Sequence, residues 1–106
     1  MNKTTRKKLN TAIENKNKID IVYKDDPKSR TIYPHIIYKN SIKSEILDAY
    51  QVSGYSSTSS ASTFPSWKQF LVSEIKSIEL LPENFVIVKS FNKESPRYKD
   101  VIKIIK

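Results

Sequence analysis

A two-residue hydrophobic period limits the fold more than any other feature of the chain. Ile19, Ile21 and Tyr23 alternate with Asp20, Val22 and Lys24. Successive side chains of an extended backbone point to opposite faces, so this segment predicts a strand with one buried side. The pattern recurs from Arg30 through Ile32, Pro34, Ile36 and Tyr38. Pro34 has no N–H to give a ladder and marks an edge or a bulge there. A third strand is predicted from Glu45 to Val52, with Leu47 and Ala49 on one face and Ile46 and Tyr50 on the other. Two more fall between Trp67 and Leu81, with Phe70, Val72, Ile75, Ile78 and Leu80 as core residues, and Phe85 to Val88 reads as a sixth. Asp25-Asp26-Pro27-Lys28-Ser29 and Pro82-Glu83-Asn84 carry the residues that favour tight turns.

Helical spacing is confined to the ends. Leu9, Ala12 and Ile13 form a narrow apolar stripe behind a Thr4 or Thr5 cap, which predicts a helix over residues 4–17. Ser95 before Pro96 is an N-cap with proline at the first helical position. With Val101, Ile102 and Ile105 behind it, a terminal helix is expected over residues 95–105. Ser53 to Thr63 is a low-complexity stretch with the sole glycine, Gly54, and residues 53–64 are expected to be the most mobile internal segment. The sum is a mainly β chain with flanking helices, a small barrel or strongly bent sheet of about five strands over residues 18–88.

A chain of 106 residues has room for one domain. It has no cysteine, so disulfide frameworks, zinc ribbons and thiol catalysis are excluded. The basic start leads into no apolar stretch, and no apolar run approaches the roughly 20 residues of a membrane helix. The expected setting is the cytoplasm. Nineteen Lys and Arg oppose eleven Asp and Glu, a formal charge of +8 that draws polyanions by long-range attraction. Only three of the nineteen are Arg, which points to backbone attraction more than to base reading, and a Lys- and Asn-rich composition explains the excess equally well. His35 is the single histidine, without the converging ligands of a metal site or a nucleophile to activate. Asp25-Asp26 is better read as a turn than as a metal pair. No catalytic residue, metal or cofactor is expected.

The order of the motifs resembles the WYL domain, a Sm-like or SH3-like barrel of bacterial transcription regulators and of CRISPR-associated and phage-defence proteins. The matching residues are Ala12-Ile13, Ile19 to Tyr23, Arg30-Thr31-Ile32-Tyr33-Pro34, Leu47-Asp48-Ala49-Tyr50, Lys68-Gln69-Phe70-Leu71-Val72, Ile75 and Phe85, within about residues 9–85. The name-giving Trp-Tyr-Leu falls on Glu45-Ile46-Leu47, where only the Leu agrees. The resemblance implies a stand-alone module whose basic residues take a nucleic acid or nucleotide-like ligand. Of those residues Arg30 is present, a second is Lys68, and a third has reversed sign as Glu74. The helix-turn-helix domain usual in the family has no counterpart in this sequence.

Five residues are the expected binding set: Arg30 and Lys68 for phosphate, and Tyr50, Tyr33 and Tyr23 for bases. Each has a plain alternative. Arg30 could pair across its turn with Asp25 or Asp26, Lys68 could snorkel at the surface, and the tyrosines could pack with their hydroxyls at the water edge. The function expected is a regulatory module that binds single-stranded nucleic acid or a nucleotide. The alternative is a protein-interaction module accessory to a regulator or defence system. In that case Val101, Ile102 and Ile105 are the surface for a homodimer or another protein.

Overall fold

A computed structural model describes residues 3–55 and 64–106. The loop segment expected to be mobile lies largely outside the described residues. Helix α1 (Lys3–Asn15) is followed by strands β1 (Asn17–Tyr23), β2 (Arg30–Lys39), β3 (Glu45–Gly54), β4 (Ser66–Leu71), β5 (Ile75–Asn84) and β6 (Asp100–Ile104). All the strand pairings are antiparallel. The predicted stripe of α1 is the one that is buried, Leu9, Ala12 and Ile13. Leu9 and Ile13 each contribute about 1.5–3 kcal/mol by leaving water. Lys16 ends the helix with a left-handed φ of 55°, and its carbonyl accepts a hydrogen bond from the Phe85 N–H at 2.8 Å.

The strand order β4-β3-β2-β1-β5 puts β4 and β5 at opposite ends of the sheet. They are nevertheless joined by a single 3-10 turn, Val72–Glu74. In a flat sheet those ends would lie about 19 Å apart, at roughly 4.8 Å per strand. Four Cα steps from Leu71 to Ile75 span at most about 15 Å. The sheet must therefore curl, and the end of β1 fastens the connection: the Tyr23 hydroxyl accepts from the Leu71 N–H at 2.9 Å, and the Lys24 N–H donates to the Glu74 carbonyl at 2.9 Å. No ladder joins β4 to β5 among the described residues, so the sheet bends without closing into a barrel. Its helix-covered core is built from Ile19, Ile21, Ile32, Ile37, Leu47, Ala49 and Phe70, with Val72, Ile75 and Ile78 at the seam.

Strand β2 is the branch point. On one side it pairs along its length with β3, and on the other it pairs first with β1 (Arg30 to Ile32) and then with β6 (Ile36 to Lys39). The change of partner coincides with a bulge: Pro34 faces Ala49, Ile36 faces Asp48, and His35 is the extra residue. This is the irregularity that Pro34 suggested.

The terminal helix expected over residues 95–105 is not formed. Residues 100–104 are β6, and Ser95 and Pro96 belong to turns in which the Ser95 N–H bonds the Asn92 carbonyl at 3.1 Å and the Tyr98 N–H bonds the Ser95 carbonyl at 3.0 Å. Val101, Ile102 and Ile105 fit a helical spacing, but β-branched residues also suit a strand, and the free side of β2 beyond its bulge supplies the ladder. The stripe is split accordingly: Ile105 joins the core, while Val101 and Ile102 stay exposed. Three smaller expectations also differ. Pro82-Glu83-Asn84 lies inside β5, Phe85 to Val88 is not a strand, and Leu80, expected in the core, is exposed.

Gly54 ends β3 with φ +99°, and a Cβ there would come within 2.5 Å of the Ser29 carbonyl oxygen and 2.7 Å of the Arg30 Cα. Both the backbone conformation and the contact exclude a side chain. Gly54→Ala is expected to destabilise the protein by more than about 1 kcal/mol, read from urea unfolding midpoints. An unchanged midpoint would contradict the described turn.

Candidate anion-binding groove

The face of the sheet opposite α1 carries two cross-strand rows. Tyr33, Tyr50 and Trp67 are register partners across β2, β3 and β4, and beside them lies the row Ile36, Asp48 and Gln69. Alternation puts large aromatics here because this face is also covered. The irregular segment from Phe85 to Lys99 crosses it, and three polar attachments fix its course.

The first is His35. The bulge turns its imidazole among Trp67, Phe85 and Phe91, at 4.8, 5.2 and 5.0 Å between ring centroids, and it is fully buried. Nδ1 lies 2.7 Å from the Tyr33 carbonyl oxygen, so Nδ1 carries the proton and donates. Nε2 is then free to accept the Val88 N–H at 3.2 Å. The second is the Trp67 indole N–H, which donates to Ser90 Oγ at 2.8 Å. The third is Asp48, whose side chain is buried yet accepts from the Tyr38 hydroxyl at 3.1 Å and the Tyr98 hydroxyl at 2.7 Å. Arg97 Nη2 pairs with the same carboxylate at 3.1 Å. Burial first, then the hydrogen bond to Asp48, pushes the Tyr98 hydroxyl up to about 12, and burial followed by the charge of Asp48 pushes Tyr38 higher still. Both remain donors to the carboxylate at neutral pH.

Arg97 is half-exposed, with 54% of its side chain open to solvent, and the outer side of its guanidinium borders a groove of about 560 Å³. The groove runs between the β2–β3 turn and residues 96–100. Lys39 and Lys43 stand on one wall, Arg97 and Lys99 on the other, with Asp100 the one acidic side chain lining it and Tyr38 and Gln69 at the floor. The Asn40 side-chain carbonyl accepts from the N–H groups of Ile42 and Ser44, at 3.1 and 2.9 Å, and shapes the turn that carries Lys43. Even with Arg97 paired to Asp48 and Asp100 in the lining, the lysines leave the groove with an excess of positive charge that favours an anion. Among the described residues no group of three His, Asp or Glu is arranged to hold a metal ion, and no helix is long and apolar enough to cross a membrane.

The five residues expected from the sequence lie elsewhere and are not gathered into one site. Arg30 is buried, with Nε 2.8 Å from Asp26 Oδ2 and Nη1 3.3 Å from Gln51 Oε1, and its guanidinium packs 5.6 Å from the Tyr23 ring and 5.4 Å from Phe70. This is the turn pairing given above as its alternative. Gln51 passes the connection on by donating to the carbonyls of Ser53 and Tyr55 at 3.2 and 2.8 Å. Tyr23 is buried edge-on against Phe70 at 4.9 Å. Lys68 leans over Phe64 at 5.9 Å. Tyr33 and Tyr50 do meet, at 6.4 Å, but Tyr33 is stacked on Phe85 at 4.8 Å and Tyr50 packs edge-on to Trp67 at 5.2 Å. The groove residues escape a reading of the sequence because the two segments that line it, Tyr38 to Lys43 and Pro96 to Asp100, are far apart in the chain; the one signal available is that Arg97 is among only three arginines.

Comparison with models of known families, with characterised proteins and with solved structures finds no match to this chain.

Burial holds His35 below the ordinary imidazole value of 6.5, partly offset by its hydrogen bond to the Tyr33 carbonyl. The unfolded chain takes up a proton below that pH and the folded one resists it, so stability is complete above about 6.5 and falls as the pH drops. Urea unfolding between pH 7.5 and 5.5 is expected to show a slope approaching about 1.4 kcal/mol per pH unit. That slope should vanish in His35→Leu, whatever the variant's absolute stability. An equal slope in both proteins would show that His35 is not the group responsible.

Proposed function

We propose that this chain is a binding module for single-stranded nucleic acid or a nucleotide, and that the ligand's phosphates enter the groove between the β2–β3 turn and residues 96–100. The observation that carries this reading is the convergence of Lys39, Lys43, Arg97 and Lys99 on that groove. The Arg97 guanidinium is held in position by Asp48, which spares a ligand part of the entropy of ordering a long side chain. The formal charge of +8 supports the same reading by raising the local concentration of polyanions.

The resemblance to the WYL domain enters on the same footing. The curl that brings β4 and β5 together across a 3-10 turn supports a Sm-like or SH3-like sheet. The family's setting, bacterial regulation or phage defence in the cytoplasm, follows if the resemblance holds. With the fork of Arg30 occupied by Asp26 and Gln51, the proposed groove differs from the site that the resemblance implies. A second reading, a protein-interaction module, is favoured by one observation: β6 presents Val101 and Ile102, 42% and 37% exposed, beside the pairing it makes with β2.

The test is fluorescence anisotropy with single-stranded DNA, single-stranded RNA and duplex at several salt concentrations. Single strands are expected to bind with a steep salt dependence. Replacing Lys43, Arg97 and Lys99 together by Ala should flatten the log–log slope by about 0.7 for each phosphate that is no longer neutralised. Lys7→Ala and Lys8→Ala, on the exposed side of α1, should change it little. A triple variant that folds and binds as the parent does would remove the groove and leave the protein-interaction reading.

A further inference from the structure

We propose that the basic groove is half of a composite nucleotide site, and that the other half is an aromatic pocket that takes one base. This deepens the proposed function and rests on it. The pocket, about 160 Å³, adjoins the groove across Arg97, which lines both. Trp67, Phe91 and Tyr98 supply its rings, and Ser90, Asn92 and Ser95 its polar groups. A nucleotide is itself a flat aromatic ring beside an anion, and these two cavities, one aromatic and one basic, share Arg97 in their linings.

The geometry also sets how a base would lie. Phe91 is 5.9 Å from Trp67 and 6.0 Å from Tyr98, at interplanar angles of 33° and 37°. Rings that close already touch, so a base would rest across their open faces and would not slip between them. Stacking of this kind tolerates any base, because each has a π-face. The polar rim favours acceptors on the ligand. Ser90 Oγ already accepts from the Trp67 indole and keeps its own O–H to donate, while the Asn92 carbonyl is engaged by the Glu94 N–H at 3.1 Å and its NH₂ is left to donate. Arg97 is placed to serve both halves. Its guanidinium lies 5.4 Å from the centre of the Tyr98 ring, and Asp48 secures one side of it while the other borders the groove.

Trp67 is the sole tryptophan, so intrinsic fluorescence of the full chain reports on the pocket directly. Two probes of equal length separate the halves: oligo(dT), and an abasic strand that keeps the sugar-phosphate backbone without bases. Oligo(dT) should quench Trp67 and bind at least tenfold more tightly than the abasic strand, which should leave the emission unchanged. Phe91→Ala should lower oligo(dT) affinity about tenfold and leave abasic binding as it was. The exposed Asn92→Ala, which leaves the ring packing intact and releases only the turn bond from the Glu94 N–H, should give a smaller loss in the same direction. If the abasic strand binds as tightly as oligo(dT) and neither quenches Trp67, the base pocket is refuted while the groove stands. If neither strand binds at low salt, the groove and the pocket fall together.

Discussion

At His35 the ladder between β2 and β3 gains a residue on one side only, and the rest of the molecule is arranged around that insertion. Before it, the free side of β2 belongs to β1; after it, to β6. The same extra residue turns an imidazole into a buried aromatic nest and makes it both donor, to the Tyr33 carbonyl, and acceptor, from the Val88 N–H. A buried imidazole with one partner unmet would cost roughly 1–3 kcal/mol, so the neutral tautomer and the path of the 85–99 segment specify each other. Without the bulged histidine the 85–99 segment would lose the acceptor that holds the Val88 N–H.

The second constraint is Asp48. Removing a carboxylate from water is costly unless its oxygens are met by donors, and here two tyrosine hydroxyls and a guanidinium meet them. An apolar residue in its place would avoid that cost but leave the Tyr38 and Tyr98 hydroxyls without this acceptor. What the aspartate adds is direction. It ties residues 97 and 98 to the middle of β3 and orients the Arg97 guanidinium at the groove. In the proposed function that buried charge is retained for the site rather than for stability.

Much of the β architecture is legible in the sequence because alternation is a local signal. Ile19 to Tyr23, Leu47 with Ala49, and the break at Pro34 are read correctly from neighbours two residues apart. The end of the chain is not legible in this way. Val101, Ile102 and Ile105 satisfy a helical period, and the strand they belong to pairs with a stretch of β2, Ile36 to Lys39, that β1 does not reach. The surroundings of the expected binding residues are hidden for a related reason. Arg30 has the right chemistry for phosphate, but Asp26, Gln51 and the rings of Tyr23 and Phe70 occupy it in the fold. Arg97 reads as part of a helix start, and nothing near it in sequence reveals the carboxylate that makes it half of a site. Residue type names a chemistry, and tertiary neighbours decide which copy of that residue is left open to solvent.

In the proposed function, ligand meets this protein along the groove and its adjoining aromatic face, not at the buried Arg30 cluster. A backbone and indole amide titration by two-dimensional NMR with a short single-stranded oligonucleotide addresses it residue by residue. The perturbed signals should gather at Lys39, Lys43, Arg97 and Lys99 and at the Trp67 indole N–H, while Asp26, Arg30 and Gln51 stay still. Perturbations centred on Arg30 and Lys68, or none at ligand concentrations that saturate other single-strand binders, would contradict it.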